Sequence, residues 1–226
     1  MRSARPPIVR SDSTRAFVDS ALSDLATNGY SPFAWLRFTW RSCRRSLEMV
    51  RRQPRAALEV HLLHLALLTG GSPRWVLTSW LLAWSHLGLL AEEPQPLGLA
   101  NILTLLRANL PALARGRGAW LALPALLTDV TDGWIARGRA RESAFGAYAD
   151  ALADLAFWTW YARRHEPSRL LRSVALSLWL GPAAILTIGY FGAARALDVP
   201  RPQVVRLTSA GFQVLLATRA CARRWS

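Results

Sequence analysis

The chain alternates long apolar blocks with short joints that carry Arg, Pro or Gly, and this alternation restricts its fold more than any other feature. The blocks lie near residues 56–70, 74–91, 98–114, 118–136, 146–163, 169–194 and 203–221. A helix needs about 20 residues to cross the hydrocarbon core of a bilayer, and several blocks are shorter or contain Pro or Arg. The pattern therefore predicts an all-α integral membrane protein with six or seven transmembrane helices. The first block is also compatible with half of a re-entrant hairpin.

The charge of the chain indicates the same environment. Its 226 residues carry a formal net charge of +14, and every basic residue apart from the histidines is Arg. A nucleic-acid-binding protein would present a soluble basic face with polar or aromatic readers. Here the arginines flank apolar blocks, which is typical of contact with anionic lipid headgroups. We therefore expect membrane lipids as partners and no nucleic acid. Because Arg occurs at nearly every joint, the positive-inside rule does not set the orientation.

The N-terminal region differs from the rest of the chain. A weak amphipathic helix is expected around residues 13–26, and Ser31 followed by Pro32 predicts the start of a second helix. This second helix mixes aromatic residues with arginines and is too charged to span a bilayer, so we interpret it as an amphipathic interfacial helix. An ordinary surface helix is the alternative. The predicted organisation is an interfacial and cytoplasmic arm (1–55), extra membrane segments (56–96) and a membrane domain (97–226).

Histidine and cysteine offer weaker signals. His61 and His64 are one helical turn apart, but only Glu59 is close to them in sequence, so we expect packed or interfacial histidines rather than metal ligands. Cys43 and Cys221 match no metal or redox spacing and are expected to be unpaired thiols.

Residues 129–154, DVTDGWIARGRARESAFGAYADALAD, carry four aspartates inside apolar surroundings. Asp129 and Asp132 are three residues apart, and Asp150 and Asp154 are four apart, so each pair projects from one face of a helix. The glycines and arginines between the pairs allow the chain to turn. We therefore expect the four carboxylates to face one another.

Carboxylates at close range repel one another, and a divalent cation relieves this repulsion. Oxygen ligands without His or Cys favour Mg²⁺ or Mn²⁺. Arg137, Arg139 and Arg141 would help to hold a phosphate, while Gly133 and Gly146 would allow close approach to the backbone. The residues thus predict a metal-assisted phosphoryl-transfer site at the membrane edge. A proton or cation relay in a transporter and a solvated acidic loop are the alternatives.

The fixed positions of this segment identify a resemblance. Asp129-x2-Asp132-Gly133-x2-Ala136-Arg137-x8-Gly146-x3-Asp150-x3-Asp154 matches every fixed position of the CDP-alcohol phosphatidyltransferase signature. Upstream, Asn101-x2-Thr104-x2-Arg107 resembles the segment that opens the first helix of that family. Ser143 falls where the family tends to place Ser or Thr. The resemblance covers roughly residues 97–221.

The resemblance implies a bundle of six membrane helices, usually a homodimer, with its active site at the cytoplasmic edge of the membrane, here a bacterial inner membrane. Such enzymes make phospholipids by displacing CMP from a CDP-linked lipid, usually CDP-diacylglycerol, with the hydroxyl of an alcohol. By matching position, Asp129, Asp132 and Asp150 would hold two Mg²⁺ or Mn²⁺ ions. Asp154 would be the general base and would also contact a metal.

The resemblance also implies a substrate-binding set. Gly133, Arg137 and Ser143 would contact the CDP-lipid or the acceptor phosphate, and Asn101 and Thr104 would line the nucleotide side. Ala136 and Gly146 complete the set. The acceptor stays open between glycerol 3-phosphate, inositol phosphate and another polyol phosphate, because Ala151 and Leu155 replace the Pro and Lys usual in phosphatidylglycerophosphate synthases. The alternative function is that of a catalytically inactive family member, which would serve as a lipid-binding or assembly protein.

Overall fold

The computed structural model describes residues 12–90, 95–114, 118–138, 144–197 and 203–225, and the regular secondary structure in these ranges is entirely helical. The all-α prediction is therefore confirmed. The α-helices of the described residues are α1 (Asp12–Thr27), α2 (Pro32–Arg52), α3 (Pro54–Leu68), α4 (Pro73–Ser85), α5 (Leu99–Asn109), α6 (Ala122–Gly138), α7 (Ala144–His165), α8 (Arg169–Ala193) and α9 (Gln203–Trp225). From α3 onward, each helix lies within or across one of the predicted apolar blocks.

Local sequence accounts for several helix starts. Proline occupies the first turn of α2, α3 and α4, where its missing N–H costs no hydrogen bond. The hydroxyl of Ser31 accepts a hydrogen bond from the N–H of Ala34 at 3.3 Å, which confirms the predicted cap of α2. Ser168 caps α8 in the same way, accepting from the N–H of Leu171.

Helix α5 is the centre of the bundle, because it packs against both α6 and α7. On the far half of α7, Phe157, Trp158 and Tyr161 are buried and form an aromatic core with the start of α6, α8 and α9. The hydroxyl of Tyr161 donates to the carbonyl of Ala119 at 2.8 Å, so the polar tip of this buried ring is satisfied. These contacts fix the axis of α7, and α7 carries two of the four aspartates singled out above.

Helices α3 and α4 form a hairpin that is bonded directly to α5. The indole N–H of Trp75 donates to the carbonyl of Ala108 at 2.9 Å, and the amide of Asn109 donates to the hydroxyl of Ser79 at 2.8 Å. Buried polar groups need such partners, so these bonds specify how the hairpin docks. The hairpin of α3 and α4 is thus packed into the helix bundle.

The two histidines of α3 take part in this packing. His64 has no exposed surface; its Nδ1 lies 2.8 Å from the carbonyl of Val60 and its Nε2 lies 3.2 Å from the hydroxyl of Ser79. His61 accepts a hydrogen bond from the indole of Trp80 at 2.9 Å. The expectation of packed rather than metal-ligating histidines is confirmed, since both rings are engaged in contacts between α3 and α4.

The number of membrane spans stays a prediction. Among the described residues, α8 is the helix that is both long and apolar enough to cross a bilayer, with 25 residues and a mean hydropathy of 1.7. Its most apolar stretch is 6% buried, and it exposes Ile185 and Ile188, as expected of a surface that faces lipid. Helices α3 and α4 have 15 and 13 residues. At 1.5 Å per residue they reach only about 20 Å, against about 30 Å of hydrocarbon.

Helix α2 forms over the predicted stretch and is strongly amphipathic. Phe33, Leu36 and Trp40 lie on one side of it and are 79%, 67% and 67% exposed. Arg37 and Arg44 are exposed beside them. This arrangement is typical of a helix that lies in a membrane interface, because aromatic rings and arginines both favour the headgroup level.

The connection between α7 and α8 contains a buried carboxylate. Glu166 is 3% exposed, and its side chain accepts from Arg219 Nε at 3.0 Å and from the N–H of Ser168 at 2.9 Å. Arg223 adds a charge contact at 3.7 Å. Burial alone would raise the pKa of Glu166, but the bonds to Arg219 and Ser168 and the charges of both arginines together hold that pKa below its usual value. The ionised carboxylate therefore ties α9 to the end of α7.

We expect Glu166→Gln to lower the free energy of unfolding by about 1–3 kcal/mol, since a buried charge-assisted contact is lost. Because the folded pKa is depressed, this contribution is present above the usual value of 4.5 and is lost as the pH falls through the folded pKa. Thermal unfolding in detergent at pH 7 and at pH 3 measures both effects. Glu48→Gln, which removes an exposed pair with Arg44, is the matched control. Equal melting temperatures for the two variants at pH 7 would contradict this assignment.

Candidate metal centre

A single buried arginine contacts three of the aspartates singled out by the sequence. Arg107 lies near the end of α5, and its side chain has no exposed surface. Burial of an unpaired guanidinium is strongly unfavourable, so the side chain requires anionic partners. It finds them on the two helices that pack against α5.

Three aspartates surround this guanidinium. Nη1 lies 3.5 Å from Oδ1 of Asp129 on α6, and Nε lies 3.0 Å from Oδ1 of Asp154 on α7. Nη2 donates a hydrogen bond to Oδ1 of Asp150, also on α7. Three nitrogens of the guanidinium thus lie close to three different carboxylates, one of them through a hydrogen bond, and Arg107 joins α5, α6 and α7 at one point.

The carboxylates are close to one another as well as to Arg107. One oxygen from each of Asp129, Asp150 and Asp154 lies within 4.8 Å of the others. Two unit charges at that separation repel by about 3.5 kcal/mol at an effective dielectric constant of about 20. Three negative charges against one guanidinium leave a net charge of −2 on these four side chains. The pairing with Arg107 therefore relieves only part of the repulsion.

This donor set fits a divalent metal ion. The ligand atoms are all carboxylate oxygens, which Mg²⁺ and Mn²⁺ prefer, and the residual charge of −2 equals the charge that one such ion would neutralise. The side chains of Asp129, Asp150 and Asp154 are 42%, 49% and 28% exposed, so an ion can reach them from the side opposite Arg107. In the described parts of the chain, no other group of three His, Cys, Asp or Glu side chains is close enough to hold a metal.

The structure assembles part of the predicted site. Asp129, Asp150 and Asp154 come together as expected. Asp132, Gly133, Ala136 and Arg137 lie on α6, but their side chains are outside the described part of the structure, and Ser143 is outside the described residues altogether. Gly146 lies in the first turn of α7.

Asn101 and Thr104 precede Arg107 on α5, by two turns and one turn. The Asn101 amide donates to the carbonyl of Leu97 at 2.7 Å, and the Thr104 hydroxyl donates to the carbonyl of Ala100 at 3.1 Å. These bonds hold both side chains against their own helix. Their expected place beside a nucleotide is a proposal that rests on sequence position.

From the sequence alone, Arg107 has no role beyond its place in the segment Asn101–Arg107. The signal was present. An arginine within the apolar run NILTLLRANL is costly unless an anion pairs with it, and residues 129–154 downstream carry four aspartates. Sequence periodicity gives the face of a helix but not its neighbours, so it does not predict that α5 packs against both α6 and α7.

A separate apolar cavity of about 360 Å³ lies between α4, α5 and α7. Leu82, Leu105 and Leu152 are among the residues that line it, one from each helix. Its walls carry few polar groups, so it does not suit a nucleotide. It does suit an aliphatic chain, because apolar groups gain most by leaving water for such a surface.

Comparison with known protein families agrees with this geometry. The family model described as CDP-alcohol phosphatidyltransferase matches residues 97–215, which is more than half of the chain. No match was found to a curated protein, and none to a solved structure. The matched range contains Arg107 and the four aspartates of the signature, Asp129, Asp132, Asp150 and Asp154.

Members of this family are membrane-associated transferases of phospholipid biosynthesis, they use CDP-alcohols, and they typically depend on a divalent metal. The triad on α6 and α7 could bind such a metal. With the motif, the all-helical bundle and the family match in agreement, the chain belongs to the CDP-alcohol phosphatidyltransferase family.

Proposed function

We propose that this protein transfers the substituted phosphate of a CDP-linked lipid, such as CDP-diacylglycerol, to the hydroxyl of an alcohol and releases CMP. The observation that carries the proposal is the triad Asp129, Asp150 and Asp154, gathered around buried Arg107 within the family-matched range. An oxygen-only cluster with a residual negative charge is suited to a metal that in turn binds phosphate oxygens.

The proposed reaction is a displacement at phosphorus. The acceptor oxygen forms a bond to the phosphorus that bears the lipid, while the bond from that phosphorus to the bridging oxygen breaks and CMP leaves with that oxygen. Asp154 takes the proton of the attacking hydroxyl as general base. Asp129, Asp132 and Asp150, with Asp154 as a further ligand, hold Mg²⁺ or Mn²⁺, which when bound stabilises negative charge on the diphosphate.

The exposed fractions of the three carboxylates support the assignment of Asp154 as the general base. Asp154 is the least exposed of the three carboxylates at 28%, and Arg107 Nε contacts one of its oxygens. Partial shielding from water favours productive proton transfer over exchange with solvent. Asp129 and Asp150 are more exposed, which suits ligands of an ion that enters from the aqueous side.

The remaining substrate contacts are proposed from the positions of the residues along the sequence. Gly133 and Arg137 are four and eight residues after Asp129 on α6, so the three positions share one side of that helix. We propose that Gly133, Ala136, Arg137, Ser143 and Gly146 hold the CDP-lipid or the acceptor phosphate, and that Asn101 and Thr104 hold the nucleotide. A phosphorylated acceptor such as glycerol 3-phosphate or inositol phosphate is favoured by the arginines near the site.

The surroundings support a lipid substrate. The apolar surface of α8 and the cavity beside α7 both suit acyl chains, whereas the carboxylates are open to water. We propose a multi-pass protein of a bacterial cytoplasmic membrane, with the site facing the cytoplasm and with two copies forming a homodimer. Residues 97–226 would be the catalytic domain. Residues 1–55 would lie at the interface, and residues 56–96 would add membrane segments.

The function is tested by the release of CMP from CDP-diacylglycerol by the purified protein with Mg²⁺ or Mn²⁺ and a panel of alcohols. We expect CMP release with at least one phosphorylated polyol and none without metal. Binding of the CDP-lipid without CMP release for any acceptor would instead identify an inactive lipid-binding member of the family.

Replacement of Asp154 by Asn tests the assignment of the base. We expect the rate of CMP release to fall by about 10²–10⁴-fold, because the proton acceptor is lost, with a much smaller loss of CDP-lipid binding. Steady-state kinetics and equilibrium binding separate the two effects. Asp24→Asn, which changes a surface carboxylate paired with Arg37 and Arg41, is the matched control and should keep full activity. Unchanged turnover in Asp154→Asn would remove the base from this residue.

A further inference from the structure

We infer that Arg107 is a positioning residue that holds Asp129, Asp150 and Asp154 from their buried side and thereby organises them for the metal, in the metal-bound state as well as without metal. The inference rests on the proposed function, since it concerns the metal that this site would hold. It adds a role for a residue of α5, whereas the proposed ligands come from α6 and α7.

The geometry of the contacts supports a positioning role. Nη1, Nε and Nη2 of one planar guanidinium face Asp129, Asp154 and Asp150, in that order. A guanidinium offers donors in fixed directions, whereas a lysine ammonium is a compact charge on a flexible stem. The hydrogen bond to Asp150 and the charge contacts with Asp129 and Asp154 hold carboxylates from two different helices around this one group.

The burial of the four side chains is asymmetric. Arg107 has no exposed surface, while the three carboxylates are 28% to 49% exposed. A metal therefore approaches from the open side of the carboxylates, and Arg107 lies behind them. Because Arg107 has no exposed surface and α5 packs against both α6 and α7, the guanidinium lies on the buried side of the carboxylates. Both cations can thus contact the same carboxylates, from opposite sides.

Two effects of Arg107 on metal affinity have opposite signs. Its positive charge repels an incoming cation, so a counter-ion role alone predicts that an uncharged substitute binds metal more tightly. Its fork keeps mutually repelling carboxylates together, so a positioning role predicts that the substitute binds metal more weakly. The three separate contacts and the complete burial favour the second effect. The sign of the change in affinity therefore distinguishes the two roles.

The test measures Mn²⁺ affinity directly, by electron paramagnetic resonance of free Mn²⁺ added to the protein in phospholipid nanodiscs. We expect Arg107→Met and Arg107→Lys each to weaken Mn²⁺ binding by about 10–100-fold, the range typical when a residue that orients metal ligands is removed. Tighter or equal binding in Arg107→Met would show that the guanidinium acts only as a competing charge. If Arg107→Lys binds Mn²⁺ as tightly as the unmodified protein, a positive charge at this position is enough and the guanidinium fork is not required.

Arg163→Met is the matched control, because Arg163 is exposed near the far end of α7 and lies outside the site. Its Mn²⁺ affinity should not change. If Arg107→Met fails to fold, Arg107→Lys and a structure of the unmodified protein with Mn²⁺ decide the matter. In that structure, Arg107 should still contact Asp129, Asp150 and Asp154, and a guanidinium displaced by the metal would overturn the inference.

The same measurements separate this inference from the proposed function. Mn²⁺ binding that depends on Arg107 as described, without release of CMP, would contradict the proposed transferase activity and support the positioning role. Release of CMP by the unmodified protein, together with unaltered Mn²⁺ affinity in both Arg107 variants, would support the transferase activity and contradict the positioning role. Absence of Mn²⁺ binding by the unmodified protein would overturn both.

Discussion

A guanidinium without exposed surface, surrounded by three aspartates, is the interaction on which the rest of this structure depends. Arg107 could not stay charged in the bundle without anionic partners, because burial of an isolated charge is too costly. Together they are stable in a position that joins α5, α6 and α7. The carboxylates remain in excess, so the cluster that joins the three helices could also hold a cation. Fold and chemistry thus share the same four side chains.

The helices around this cluster bring exposed carboxylates and apolar surfaces close together. The first half of α7 carries Asp150 and Asp154, while its second half is held in an aromatic core. Helix α8 presents apolar surface to the outside, and the cavity between α4, α5 and α7 is apolar as well. A substrate that combines a charged diphosphate with acyl chains would find both environments within the span of one helix. The hairpin of α3 and α4 supports the position of α5, since Trp75 and Ser79 of α4 form hydrogen bonds with α5.

Much of this could be predicted from the sequence, and the reasons are physical. Apolar blocks and proline positions located the helices within a few residues, because both depend on local chain properties. The spacing of Asp150 and Asp154 indicated a shared helix face, which the structure confirms, since both contact Arg107. The role of Arg107 could not be obtained in this way, because it depends on which helix lies between two others. The number of spans also resists prediction, since α3 and α4 have apolar composition but are too short to cross a bilayer unaided.

The central claim is that the carboxylates on Arg107 hold a metal that contacts the diphosphate of a CDP-linked lipid. The most direct test is electron–nuclear double resonance on Mn²⁺ bound to the protein in nanodiscs that contain CDP-diacylglycerol, measured for phosphorus hyperfine coupling. We predict a strong phosphorus coupling that appears only when CDP-diacylglycerol is present and is lost in Asp150→Asn. Bound Mn²⁺ without phosphorus coupling, or coupling that survives the loss of Asp150, would contradict the account.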